Sequence, residues 1–105
     1  MSGPARGEIW WGEAPDEKGR PYLVLTRDEA IPVLRTVLVA PVTRTIRAIP
    51  TEVPLGQAEG LPADSVAAMD AALAFPKSML TRRMGGLPTG GLHALCDAMR
   101  AAIDC

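Results

Sequence analysis

Arg20 and Thr43 are the residues whose surroundings point most directly to chemistry. Arg20 precedes Pro21 and opens an apolar run, Tyr22-Leu23-Val24-Leu25-Thr26, straight after a polar loop from Gly12 to Gly19 that carries Glu13, Asp16 and Glu17. Thr43 closes a second run, Thr36-Val37-Leu38-Val39-Ala40-Pro41-Val42-Thr43, and Arg44 and Thr45 follow it. Neighbouring strands with these ends bring a guanidinium and a hydroxyl together. That pairing suits an oxyanion such as phosphate, because arginine offers it two parallel donors. Arginine at a strand start and threonine at a strand end also occur for structural reasons alone, so at this level both readings stand.

To hold two such ends side by side the chain must build a sheet, and its first half reads as short strands separated by turn residues. Glu8 to Trp11 is a brief strand, Tyr22 to Thr26 a buried one, and Thr36 to Thr43 the strongest, rich in β-branched residues. Pro41 inside that last run predicts an edge position or a bulge. Asp28 to Leu34 suits one helical turn, limited by Pro32. Ile49 to Leu55 and Ser65 to Met69 are weaker strands around a loop from Gly56 to Asp64, and Lys77 to Leu80 suits a short helix before a last strand, Arg82 to Leu87. After Pro88 the period changes. Leu92, Leu95, Cys96, Met99 and Ile103 recur at helical spacing, which predicts a terminal amphipathic helix packed on a small antiparallel β-structure.

Composition bounds what this frame can do. A chain of 105 residues, 48% of them apolar, is expected to form one domain with one core. Eleven basic residues against twelve acidic ones leave a formal charge of −1, so the chain is no polycation. The distribution is uneven. No acid falls between Ala30 and Thr51, where Arg35, Arg44 and Arg47 lie, and none between Ala71 and Cys96, where Lys77, Arg82 and Arg83 lie. Solvated surface charge accounts for such stretches as readily as an anion site does. Trp10, Trp11, Tyr22 and Phe75 are the whole aromatic set, which disfavours binding that stacks many bases. One histidine, His93, and two cysteines, Cys96 and Cys105, do not assemble a metal site of ordinary ligand count, and no phosphate-binding glycine loop or nucleophile elbow is present. No metal or other cofactor is therefore expected. Sparse cysteine predicts a reducing compartment. The absence of an apolar signal core or a long apolar run predicts a cytoplasmic protein without membrane contact.

Motifs spread along the chain add a resemblance. Arg6-Gly7-Glu8-Ile9-Trp10, Gly19-Arg20-Pro21-Tyr22-Leu23-Val24-Leu25-Thr26, Val39-Ala40-Pro41-Val42-Thr43-Arg44-Thr45 and Glu52-Val53-Pro54-Leu55 come in order, followed by Gly60-Leu61-Pro62, Asp64-Ser65-Val66-Ala67 and Lys77-Ser78-Met79-Leu80 with Arg82-Arg83-Met84-Gly85. In this order and spacing the chain resembles the MazF/PemK family of toxins, and Trp10-Trp11 and Thr45-Ile46-Arg47 look like its actinobacterial, mycobacterial-type members. The resemblance implies a mainly β chain with short helices (α+β): a small half-open SH3-like antiparallel β-barrel of the CcdB/PemK-like toxin fold, with a C-terminal helix, paired as a symmetric homodimer. It implies metal-independent cleavage of single-stranded RNA, held in check by a cognate MazE-like antitoxin.

The family's catalytic pair falls on Arg20 and Thr43. The chemistry that the resemblance implies is attack of the ribose 2′-hydroxyl on its own phosphate, leaving a 2′,3′-cyclic phosphate and a 5′-hydroxyl. In it Arg20 would stabilise the developing charge and protonate the leaving oxygen, while Thr43 would hold a nonbridging oxygen. Some relatives carry a Glu in the loop a few residues before the Arg-Pro pair; five residues before Arg20 this chain has Pro15, with Asp16 and Glu17 close by, so Asp16 is the candidate base and Glu17 reads as loop solvation. Arg44, Thr45, Arg47, Lys77 and Arg82 are the candidate RNA-binding residues. One segment departs from the pattern: where relatives carry Gln, Arg and Thr, this chain has Ala71, Leu73 and Ala74. Dimer contacts are expected nearby, from Met69 to Leu80. A rival reading, a CcdB-like poison of DNA gyrase, shares the fold but does not require Arg20 and Thr43. A degenerate copy that only binds an antitoxin is the third.

Overall fold

The computed structural model describes residues 3–103. Seven strands, β1 (Glu8–Gly12), β2 (Arg20–Val24), β3 (Thr36–Thr43), β4 (Glu52–Leu55), β5 (Ser65–Ala68), β6 (Leu73–Pro76) and β7 (Leu80–Gly86), precede a single α-helix, α1 (Gly91–Ile103). Every strand pairing is antiparallel. The order across the curled sheet is β4-β5-β3-β2-β1-β7, with β6 beside β3.

Strand alternation sorts the apolar residues onto two faces. Leu23, Leu25, Ala40, Val42, Val53 and Leu55 pack with Ile9 and with Leu95 and Ala98 of α1, while Tyr22, Val24, Val37, Val39, Phe75 and Leu80 pack on the opposite face. The tyrosine and phenylalanine rings of this second core lie 4.6 Å apart, within range of favourable aromatic contact.

Three expectations need correction. Pro41 does not mark an edge: β3 is central, bonded to β2 on one side and to β6 and then β5 on the other. The Leu25 N–H donates to the Leu38 carbonyl (2.9 Å). By the alternation of an antiparallel ladder, Tyr22 and Pro41 are then a pair that exchanges no hydrogen bonds. The nitrogen of Pro41 therefore faces the other edge, in the interval where the partner changes from β6, which ends its pairing at Val39, to β5, which begins at Val42. The proline costs no ladder bond there.

β6 itself was not expected, since Leu73-Ala74-Phe75-Pro76 carries neither alternation nor β-branched residues. The buried stripe of α1 is also rotated. Leu95 and Ala98 are its buried residues, with Cys96, Met99 and Ala102 partly covered, whereas Leu92 and Ile103 are exposed. The short side chains at 98 and 102 let the helix lie close to the sheet. Cys96 is a free thiol that receives an Arg6 Nη2 bond at 3.7 Å, and Cys105 lies outside the described residues.

The turns between β3 and β4 and between β4 and β5 carry the frame towards closure. Gly60, at φ 95°, and Gly85 of β7 meet backbone to backbone: a Cβ on Gly60 would strike the Met84 carbonyl, and one on Gly85 would strike the Glu59 carbonyl. This seam joins the loop after β4 to β7 at the opposite end of the strand order. Among the described residues no helix is long and apolar enough to cross a membrane.

Candidate active site

Strand register sets the expected pair at the same end of two neighbouring strands. β2 begins at Arg20 and β3 ends at Thr43. The last pair along their ladder is Tyr22 with Pro41, and the same register carried on by two residues sets Arg20 opposite Thr43. Directly opposed residues share a face of the pleat, and a pair without mutual backbone bonds has the closer side chains. The rung continues outward on both sides, through Gly12 and Leu80 beyond Arg20 and through Val66 and Pro54 beyond Thr43. A cleft of about 190 Å³ opens at this end of the sheet, with Trp11, Pro21, Thr43, Arg44 and Ser65 in its wall.

The Thr43 hydroxyl is oriented by its own loop. Its Oγ1 accepts the N–H of Thr45 at 3.1 Å, a short-range turn typical of threonine at a strand end. With the oxygen so engaged, the hydroxyl proton is free to donate outward.

Two residues that spacing did not mark hold the flanking loops. Trp11 holds the β1–β2 loop at both ends. Its Nε1–H donates to Glu13 Oε2 at 2.8 Å, and its ring lies against Gly19, where any Cβ would overlap the indole. Arg82, opposite Trp11 on β7, sets its guanidinium 5.9 Å from the ring centroid, within cation–π range. Gly19 is the residue immediately before Arg20, so the indole fixes the entry of the chain into β2. A glycine before Arg-Pro was the available signal, and it became readable only once Trp11 was seen beside it.

Glu52 holds the β3–β4 loop. Its side chain is 2% exposed. It accepts the backbone N–H groups of Arg47 and Ala48 and the Arg47 Nε–H, each at 3.0 Å. Burial works against its ionisation, but these donors outweigh burial and hold the carboxyl below its usual range. They also sustain Ala48 at φ 55°, a left-handed conformation that a non-glycine residue adopts at a cost. In the sequence Glu52 stood only within the Glu52-Val53-Pro54-Leu55 motif.

The acids of the β1–β2 loop separate. Asp16 occupies the exposed turn at φ 65°. Burial pushes the Tyr22 phenol up, Arg20 opposes the shift and Glu17 adds to it, so Arg20 and Glu17 act on one hydroxyl.

The basic residues separate as well. Arg44 lines the cleft, Thr45 closes the turn on Thr43, Arg47 is tied to Glu52 with its side chain 54% exposed, and Arg82 borders Trp11. Lys77 is elsewhere. Its ammonium donates to the Ile31 carbonyl at 2.8 Å and lines a different cleft of about 650 Å³, with Asp28 and Trp10. Arg83 pairs with Glu8 at 2.7 Å. Among the described residues no group of three or more His, Cys, Asp or Glu side chains is placed to hold a metal ion.

Comparison with known proteins gives this geometry a context. Residues 5–103 match the model of the PemK-like, MazF-like toxin of type II toxin–antitoxin systems. The chain is 42% identical over 103 residues to a probable endoribonuclease, MazF5, of Mycobacterium tuberculosis H37Rv, covering 97% of this chain and 94% of the relative. Among solved structures, Mycobacterium tuberculosis toxin MazF-mt6 superposes with a TM-score of 0.85 at 37% identity, over 92% of this chain and 96% of that one. A mycobacterial endoribonuclease in complex with its cognate antitoxin shares the fold, with a TM-score of 0.84 at 22% identity, over 95% of this chain and 94% of that one.

Proposed function

The chain belongs to the PemK-like, MazF-like toxins of type II toxin–antitoxin systems, and from that premise we propose that it is an endoribonuclease toxin that cuts single-stranded RNA at short sequences. The observation that carries the reading is the Arg20–Thr43 rung, a guanidinium opposite a hydroxyl whose oxygen is already engaged and whose proton is free.

In this reading the 2′-oxygen bonds to phosphorus as the bond from phosphorus to the 5′-oxygen breaks. The products are a 2′,3′-cyclic phosphate and a 5′-hydroxyl. Arg20 binds the phosphoryl oxygens as charge gathers on them, and Thr43 donates to a nonbridging oxygen; one such preorganised donor is worth about 3–4 kcal/mol. The 2′ proton passes to a carboxylate of the β1–β2 loop, Asp16 or its neighbour Glu17, and the departing 5′-oxygen takes a proton through Arg20. Arg44, Thr45, Arg47 and Arg82 border the path of the strand, while Lys77 acts outside it.

The chain works in the cytoplasm, where its RNA and its antitoxin are, as a homodimer whose activity the antitoxin blocks. The pairing surface includes β6, whose outer edge lies beside the exposed run Ala71, Ala72, Leu73 and Ala74; a bare apolar edge of this kind calls for a cover. A gyrase poison needs neither member of the rung, and relatives of this chain bear the name endoribonuclease.

Incubating the protein with a mixed RNA pool in EDTA and sequencing the new ends tests the reading. It predicts 5′-hydroxyl ends at a shared short motif and cyclic phosphates on the other fragments. Intact RNA, or cleavage only when metal is supplied, overturns the mechanism.

A further inference from the structure

The Arg20–Thr43 rung does not stop at the reacting pair. Thr43 is opposite Val66, and Val66 is opposite Pro54, so the same face of the sheet continues across β5 and β4. Strand spacing places these positions roughly 5 and 10 Å beyond Thr43. There the face becomes the floor of a second cleft, of about 540 Å³, roofed by Ile46 and Ile49 of the β3–β4 loop and ended by Asp64 and Ser65. Ser65 belongs to this cleft and to the one beside Thr43.

Its chemistry differs from that of the phosphate path. The walls are apolar, and Ile46 remains 51% exposed although it roofs them. Glu52, Glu59 and Asp64 face the cleft, so a phosphate is repelled from it. Glu52 has both oxygens occupied by the loop, and Glu59 Oε1 takes the Gly56 N–H at 2.7 Å. Ser65 gives its proton to the Ala63 carbonyl at 3.0 Å. Asp64 is exposed and has no hydrogen-bond or ion-pair partner among the described residues. The side-chain groups left open to a ligand are therefore acceptors, chiefly the Asp64 carboxylate. Arg44 and Arg47 stand in the loop above, where the backbone of a strand leaving Thr43 would pass.

We propose that this cleft is a base-reading pocket: a nucleobase next to the cleaved phosphate enters between Ile46 and Pro54 and donates an exocyclic amine to Asp64, while its phosphate stays on Arg44 and Arg47. A flat, uncharged ring with an apolar face and a donor edge meets each requirement of the site. Single-stranded RNA is read in this manner, through splayed bases bonded along their edges. A base with a carbonyl in place of the amine sets one acceptor against another and is rejected. The proposal rests on the RNA-cleaving reading given above and adds to it which group on the RNA is selected and by which residue.

Two measurements on the full chain test it. In cleavage mapping on a randomised RNA pool, the wild type requires an amine-bearing base at one position beside the cut. Asp64→Asn and Asp64→Ala relax that position by at least about tenfold, the scale of one lost base contact, by slowing cleavage of the amine-bearing substrate toward that of the others, and leave the preferences at the other positions unchanged. An unchanged preference at every position, or a uniform loss of rate, overturns the pocket while leaving the nuclease reading intact. Titration with mononucleotides followed by amide NMR shifts is independent of cleavage. CMP against UMP, and AMP against IMP, differ by an amine exchanged for a carbonyl. Stronger shifts in residues 46–49 and 64–66 with CMP and AMP, lost in Asp64→Ala, support the pocket even if no RNA is cut. Equal responses within both pairs overturn it.

Discussion

Two loops flank the Arg20–Thr43 rung, and they are held in opposite ways. The β1–β2 loop is closed by shape: the Trp11 ring fills the space that a side chain at 19 would need, and its N–H is held by Glu13. The β3–β4 loop is closed by charge, with three donors gathered on the buried Glu52 carboxylate. An indole fills its space at any pH, whereas a carboxylate gathers donors only while ionised. The arginine side of the site therefore fails when bulk is added or removed, and the threonine side when a proton is added.

The contrast is sharpened most strongly at the rung. Arg20→Ala lowers single-turnover cleavage by at least about a hundredfold with the melting temperature unchanged, the scale of one lost preorganised donor. Arg20→Lys does not restore it, because a point charge lacks the planar two-donor grip. Thr43→Ala also slows cleavage, and Thr43→Ser less so. Losses of activity that track losses of stability would reduce both residues to strand-end supports.

Next comes the aromatic clamp. Gly19→Ala drives a methyl into the indole and shifts Arg20, and a displacement on the order of 1 Å costs up to about a hundredfold in rate. Trp11→Phe keeps a ring face for Gly19 but loses the bond to Glu13, so it retains much of the activity that Trp11→Ala loses. If Trp11→Ala cuts RNA like the wild type, the shape clamp has no bearing on Arg20.

The charge clamp shows itself through pH. The folded carboxyl of Glu52 titrates below its ordinary value of 4.5, so its contribution to stability is present above that value and is lost as pH falls beneath it. Melting curves of Glu52→Gln should therefore lose that part of the acid dependence, whereas those of Trp11→Phe should keep it. Parallel curves for Glu52→Gln and the wild type would remove Glu52 as the clamp.

The smallest effect is electrostatic. With Lys77 tied to Ile31, about three phosphates are neutralised along the path, for a log–log salt slope of roughly −2. Arg44→Ala should shift that slope by about 0.7 and Lys77→Ala should leave it unchanged. A shift on removing Lys77 would put that residue back on the RNA path.

What was legible in the sequence follows the range of the forces involved. β3 and the rung ends could be read because β-branched residues and turn signals are local. The partner of each strand could not, and so Pro41 suggested an edge where the fold has a change of partner. β6 was hidden because alanine and leucine fit a helix as well as a strand, and its place is set by pairing with β3. The spacing of α1 indicated a stripe but not its rotation, which small residues at 98 and 102 decide. In the site, Arg20 and Thr43 were visible as strand ends. Trp11 and Glu52 act through contacts that a linear pattern does not express, and a run without acids says nothing about which way a side chain turns, so the bond from Lys77 to the Ile31 carbonyl was not legible there.

The Gly60–Gly85 seam has a consequence for how this molecule can diversify. Because two backbones touch there with no room for a methyl, the circumference of the half-barrel is fixed, and neither position can drift without prising the frame open. The loops at 13–19 and 44–51 lie outside that constraint. Descendants of this sequence can then change what they recognise by rewriting two short surface segments, while the distance between Arg20 and Thr43 is inherited unaltered.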